Sequence, residues 1–206
     1  MKKMHSVKLD FTLVPVRDHM QTWVRLPSEV EKAISKLPYT AARIEMALRF
    51  CYKISNLEGA DGSSLRQREG YMRAALGELV SVEDTLKWEC PNNSFKLWWS
   101  SNPLLHILRE LRNLNVHLKH SELAPQEITV RLGAPDSKDF SINIYNLSDL
   151  TPEAFSKLNN AIRYTPEQIS ALVNWFNEFH KHWGIGDAIH QGITALSILL
   201  VDRYNL

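Results

Sequence analysis

Cysteine is scarce: Cys51 and Cys90 are the two in 206 residues. A disulfide framework needs more, and no Cys-x-x-Cys pair exists for zinc or dithiol chemistry. No sign of charge dominates either. The 24 Lys and Arg nearly balance the 23 Asp and Glu, which argues against a chain that coats nucleic acid or a membrane by bulk charge and leaves room for a local basic patch. Long hydrophobic runs are missing. The longest apolar stretch, around residues 193–201, is too short and interrupted to span a bilayer. The basic start, Met1 to Ser6, is not followed by the apolar stretch of a signal peptide, so the expected location is the cytoplasm. No Gly-rich phosphate loop stands out, because Gly59, Gly62 and Gly184 lack a strand-turn-helix setting and a Lys. A metal set is not expected: there is no Glu-x-x-His pair, and His117 and His120 have no acidic residue four positions before them.

What is present is the composition of a globular chain, 44% hydrophobic and 23% charged, of a size that suits one domain over residues 1–206. Val7, Leu9, Phe11 and Leu13 alternate and predict a strand at 7–14. A short helix is expected over 28–37, with Ser28 as N-cap and Glu31 completing a capping box, and Pro38 ending it. Thr40 is placed to cap a helix that runs to Asn56, and a long helix follows over about 65–88. Asn102-Pro103 starts another, expected to reach about Ser121. Alternation over 126–145 predicts a β-hairpin. Thr151-Pro152 and Thr165-Pro166 start further helices, and a last helix takes 187–202. The expected class is mainly α: an up-and-down bundle built from about 40–123 and 151–206, with the hairpin, or a three-stranded sheet including 7–14, appended.

The helix after Pro103 carries the chemistry. At 100° per residue, Leu104, Ile107, Leu108, Leu111, Leu114 and Leu118 share one core-facing arc. His106, Arg109, Asn113, His117 and His120 fall opposite and are expected to face solvent or a partner, bordered by the apolar Leu105 and Val116. Arg112 lies about 140° around from His117, so joint action on one group needs a swung side chain, a distorted helix or two protomers. A His near neutrality moves protons, and an Arg fork fits a phosphate. Together with Asn113 as an orienting amide, they suit cleavage of RNA by attack of its own 2′-hydroxyl, with no metal required.

Arg112-Asn113-Leu114-Asn115-Val116-His117, an Arg-x4-His motif with Asn after the Arg on a helix preceded by two long helices, resembles the HEPN family and its RNase-type members. The resemblance covers roughly half the chain. It implies a homodimer whose motif helices face each other over a shared cleft, and metal-independent endoribonuclease activity, often as a toxin or in phage defence. On that basis Arg112, His117 and Asn113 are the expected catalytic set, Arg109 and His120 add RNA contacts, and no cofactor is called for. An antitoxin protein is a possible partner in such systems. The rival reading is a non-catalytic HEPN-like interaction protein that binds an antitoxin, a nucleotidyltransferase or a nucleotide.

The other polar residues have plainer readings. Glu45, Glu78, Glu83 and Asp84 are expected to be surface charges that at most support His117. His180 and His182 suit a helix C-terminus, where the dipole favours a cation. Trp98-Trp99 reads as core or interface before it reads as a platform for bases.

Overall fold

A computed structural model describes residues 7–13, 25–117, 122–131, 139–148 and 150–206. Among the described residues there are seven α-helices and one two-stranded antiparallel sheet. In chain order they are α1 (Ser28–Ile34), α2 (Pro38–Asn56), α3 (Gly62–Glu89), α4 (Pro103–His117), β1 (Leu123–Arg131), β2 (Asp139–Leu147), α5 (Pro152–Ser156), α6 (Pro166–Lys181) and α7 (Gly184–Tyr204). This is a mainly α chain with an appended hairpin.

Helices α2 and α3 pack as an antiparallel pair, tied at both ends. At one end Pro38 opens α2 instead of merely closing α1, since a first-turn Pro has no N–H to satisfy. The orphan N–H groups of Tyr39 and Thr40 donate to the carboxylate of Glu89, the last residue of α3, at 2.7 and 3.0 Å. The cap expected from Thr40 is therefore supplied from 49 residues away, while the buried Thr40 hydroxyl meets that of Thr85 at 3.1 Å. At the other end Arg68, 1% exposed, donates to the carbonyls of Ile54 (3.0 Å), Gly59 (2.7 Å) and Leu57. These are the carbonyls that a helix C-terminus and its loop leave open. The same guanidinium lies 3.9 Å from the ring centre of Tyr145 and so joins the helix pair to β2.

Helix α7 is the centre. It is buried from Gly184 to Ser197 and touches α1, α2, α3, α4, α6 and β2. The expectation that its apolar stretch is too short to span a bilayer is corrected: among the described residues α7 alone is long and apolar enough to do so, and most of it is buried inside the bundle. A Cβ on Gly192 would strike Leu108, so this glycine lets α7 close on α4. Gly184, at φ +84°, makes the reversal from α6 into α7 beside the Tyr145 backbone. The hairpin pairs Leu123 with Leu147 through to Arg131 with Asp139. Its base is in the core through Leu123, Ile144, Tyr145 and Leu147.

Two local expectations are corrected. Residues 7–13 form no strand: the segment ends in a 3₁₀ turn at Phe11–Leu13 and pairs with neither β-strand. Asp10 breaks the extended run by accepting from the Thr12 N–H (3.0 Å) and hydroxyl (2.6 Å), an Asx turn. The segment binds the helices instead. Val7 N donates to Arg163 O, Asp10 N donates to Ser101 O, and Phe11 packs edge-on against Trp175. The Ser28 cap is also absent, because Pro27 occupies the cap position and α1 begins at Ser28 itself. By contrast, Thr165 and Gln168 form a full capping box at α6.

Arg68→Ala should cost about 3 kcal/mol, because three carbonyls lose a charged donor and cannot all reach water. Urea unfolding measures it; a loss under about 1 kcal/mol would show that water replaces the guanidinium.

His180 gives a second expectation. It lies buried at the end of α6, its Nδ1 3.2 Å from Asn146 Oδ1, and burial lowers its pKa from 6.5 to about 4. It is thus a neutral core histidine and not a cation on the helix dipole. Between pH 6.5 and about 4 the unfolded chain binds a proton there that the folded chain refuses. Stability is full above 6.5 and should fall as pH drops through that window. In melts taken from pH 7 to pH 4, His180→Leu should flatten the slope.

Candidate functional site

Helix α4 begins as its sequence dictates. Asn102 Oδ1 accepts from Leu104 N at 2.9 Å, and its Nδ2 reaches back to Leu13 O at 3.2 Å. Leu104, Ile107, Leu108, Leu111 and Leu114 are all buried, as the apolar arc predicts. Leu118 and His120 lie outside the described residues, and so does the side chain of His117.

The opposite stripe departs from expectation over its first half. His106 and Leu105 are fully buried. His106 Nε2 donates to Ser100 O (2.7 Å), which leaves Nδ1 to accept from the Tyr164 hydroxyl (2.8 Å). Burial lowers the His106 pKa and raises that of Tyr164, so both are neutral. The reason is packing. α4 is covered on one side by α3 and α7 and on the other by α6 and the 3₁₀ turn Asn159–Arg163. A helix enclosed on two sides has no outward stripe there, and Leu105 is no partner contact.

The polar groups caught in this enclosure form a network around two carboxylates. Glu83 of α3, expected on the surface, is 5% exposed. It accepts from Leu97 N (2.9 Å), Lys96 Nζ (3.1 Å) and Arg109 Nε (3.2 Å). Glu110 of α4 is 1% exposed and accepts from Arg109 Nη1 (3.0 Å), Asn113 Nδ2 (3.0 Å) and Asn160 Nδ2 (3.4 Å). Arg109 bridges the two carboxylates, its guanidinium 4.7 Å from the Trp98 ring centre, with Arg163 at 3.4 Å from the same ring. Arg109, from which an RNA contact is expected, thus also has a structural role, its Nε and Nη1 serving two carboxylates. Trp98 is half-buried and faces both arginines, while Trp99 is 55% exposed. Glu45, Glu78 and Asp84 sit in ion pairs with Arg49, Arg43 and Lys87.

The motif begins where α4 emerges from this network. Arg112 and Asn113 are half-buried. Arg112 Nη1 donates to Asn113 Oδ1 at 3.3 Å, and among the described residues no carboxylate forms an ion pair with it. Its field reaches Asp84, whose carboxyl is held below the usual range chiefly by the Lys87 hydrogen bond, with Arg112 adding to the effect. His117 is the last described residue of α4. So Arg112 and Asn113 are brought together and His117 follows on the same helix, while Arg109 belongs to the support beneath them. Reasoning from sequence missed Glu110, Asn160, Arg163 and Tyr164. For Glu110 a signal existed, its position three before Asn113 on one helix.

Among the described residues no group of three or more His, Cys, Asp and Glu is placed to hold a metal ion. Compared with protein-family models, curated proteins and solved structures, the chain matches none of them.

The network and the motif residue should separate in stability. Glu83→Ala leaves Leu97 N without its acceptor and takes from Arg109 one of its two buried carboxylates, and should cost about 3 kcal/mol. Arg112→Ala loses one long bond to an amide and should cost about 0.5 kcal/mol. Denaturant titration of both variants checks this, and a large loss for Arg112→Ala would make it a structural residue.

Proposed function

We propose that the chain is a HEPN-like, metal-independent endoribonuclease that works as a homodimer in the cytoplasm. The observation that carries this reading is the state of Arg112: a half-buried guanidinium, oriented by the Asn113 amide and without an ion-pair partner among the described residues. A cation kept free in this way suits an anionic ligand, and the planar fork of Arg suits a phosphate. His117, five residues on, supplies an imidazole, the side chain suited to moving a proton.

In this reading Arg112 binds the scissile phosphate and stabilises the charge that builds on it. The 2′-hydroxyl oxygen forms a bond to phosphorus and the bond to the 5′-oxygen breaks, leaving a 2′,3′-cyclic phosphate. His117 takes the proton from the 2′-hydroxyl or gives one to the departing 5′-oxygen. Since Arg112 and His117 point about 140° apart on a regular helix, a second protomer is the simplest way to bring both to one phosphate. The pairing surface would be the C-terminal half of α4, because Leu105 and His106 are enclosed. Release from an antitoxin would be one way to control such an activity.

The test is cleavage of labelled RNA and matched DNA, with and without EDTA. The parent should cut RNA in chelator, leave a cyclic phosphate or its 3′-phosphate product, and spare DNA, which lacks the nucleophile. His117→Ala should abolish cutting, Arg112→Ala should nearly do so, and Asn113→Ala should be milder. Equal cutting of DNA, or full activity in His117→Ala, would refute the mechanism. No cutting of any RNA would favour the non-catalytic reading, a HEPN-like partner of an antitoxin, nucleotidyltransferase or nucleotide.

A further inference from the structure

We propose that Glu110 is a positioning residue that sets the orientation of Arg112 through the side-chain amide of Asn113. For its effect on cleavage, this rests on the ribonuclease reading above.

The chain of bonds is directional. Glu110 Oε2 accepts from Asn113 Nδ2 at 3.0 Å, and Asn113 Oδ1 accepts from Arg112 Nη1 at 3.3 Å. An ionised carboxylate can only accept and a guanidinium can only donate. An amide between them has one stable setting, with its NH₂ on Glu110 and its oxygen on Arg112. Reversing it would put an NH₂ against the guanidinium and an oxygen against the carboxylate. Because a carboxylate and a guanidinium flank it, the assignment follows from chemistry.

Glu110 is built to hold that setting. It is 1% exposed, so water does not compete for its oxygens. Its Oε1 is taken by Arg109 Nη1 at 3.0 Å, which fixes the carboxylate plane. Asn160, from the 3₁₀ turn Asn159–Arg163, donates to the same Oε2 at 3.4 Å and holds it from another segment. The spacing of 110 and 113 puts both side chains on one helix face. Arg112 thus receives its orientation from a buried anion that it never touches, and its own charge is not cancelled by that anion at close range.

An isosteric change separates this role from packing. In Glu110→Gln the single remaining oxygen is claimed by Arg109, the stronger donor. The new NH₂ then faces the amide NH₂ groups of Asn113 and Asn160. Asn113 turns over, and Arg112 loses its acceptor.

The experiment compares the full-length parent, Glu110→Gln, Asn113→Ala and the double variant. Single-turnover cleavage of a labelled RNA is measured across pH, alongside melting and far-UV CD. Arg112 itself is followed by the NMR signal of its Nε–H group, assigned through its loss in Arg112→Lys. Glu110→Gln should slow the cleavage step about tenfold with little change in RNA affinity. The double variant should be no slower than Asn113→Ala, because both changes cut the same chain of bonds. The pH midpoint should stay where the parent has it, and the Arg112 signal should shift in both single variants. An unslowed, folded Glu110→Gln, or losses that multiply in the double variant, overturns the proposal. If the parent cuts no RNA, the ribonuclease reading fails and the Arg112 signal decides on the positioning alone: a shift in Glu110→Gln supports it and an unmoved signal overturns it. If Glu110→Gln does not fold, an unmoved Arg112 signal in Asn113→Ala overturns it in the same way.

Discussion

A carboxylate taken out of water needs donors on every side, and this bundle carries two such groups where α3, α4 and the Leu97–Trp99 turn meet. Glu83 and Glu110 share Arg109, and each collects two further donors from other residues. That requirement fixes relative positions that apolar packing alone leaves adjustable. The backbone of Leu97 must return to α3, α4 must hold Arg109 against α3, and the turn at Asn160 must close over α4. Hydrophobic contact is non-directional; these bonds are not. They decide which face of α4 lies inside and at which residue it comes out.

The rest of the bundle settles around the same helix. Gly192 lets α7 approach Leu108, so α4 is sealed from behind. His106 and Tyr164 satisfy each other on the side facing the 3₁₀ turn. Arg68 closes the far end of the α2–α3 pair and carries the hairpin on its guanidinium. The appended strands are thus tied to the frame by a buried cation, while the motif is tied to it by buried anions.

Much of the frame was legible in the sequence because it depends on local chemistry. Asn102-Pro103, Thr165 with Gln168, and the leucine arc of α4 act within a few residues of themselves, and they behave as read. What failed depends on distant partners. The Thr40 cap yielded to Glu89, which nothing near Thr40 announces. The alternation over 7–13 was real as an apolar pattern, but an Asx turn at Asp10 bent it onto helices instead of into a sheet. The polar stripe of α4 shows the limit most clearly. A wheel tells which residues share a face, and it cannot tell how many faces the fold will cover. For the same reason Glu83 resembled its exposed neighbour Asp84 until Lys96, Leu97 and Arg109 closed on it.

The charges of the network also explain why Arg112 differs from the other cations near it. Glu83 and Glu110 bring two negative charges, and Lys96 and Arg109 bring two positive ones, all joined by bonds of 3.0 to 3.2 Å. Those four groups sum to no net charge. Arg112 instead donates to a neutral amide, and among the described residues no carboxylate forms an ion pair with it. In the proposed function, a cation held in one orientation would stabilise charge developing on a bound anion, since little reorganisation remains to be done when the charge appears. Arg109 and Arg112, three residues apart, thus differ in role: the first joins two buried carboxylates, and the second forms no ion pair among the described residues.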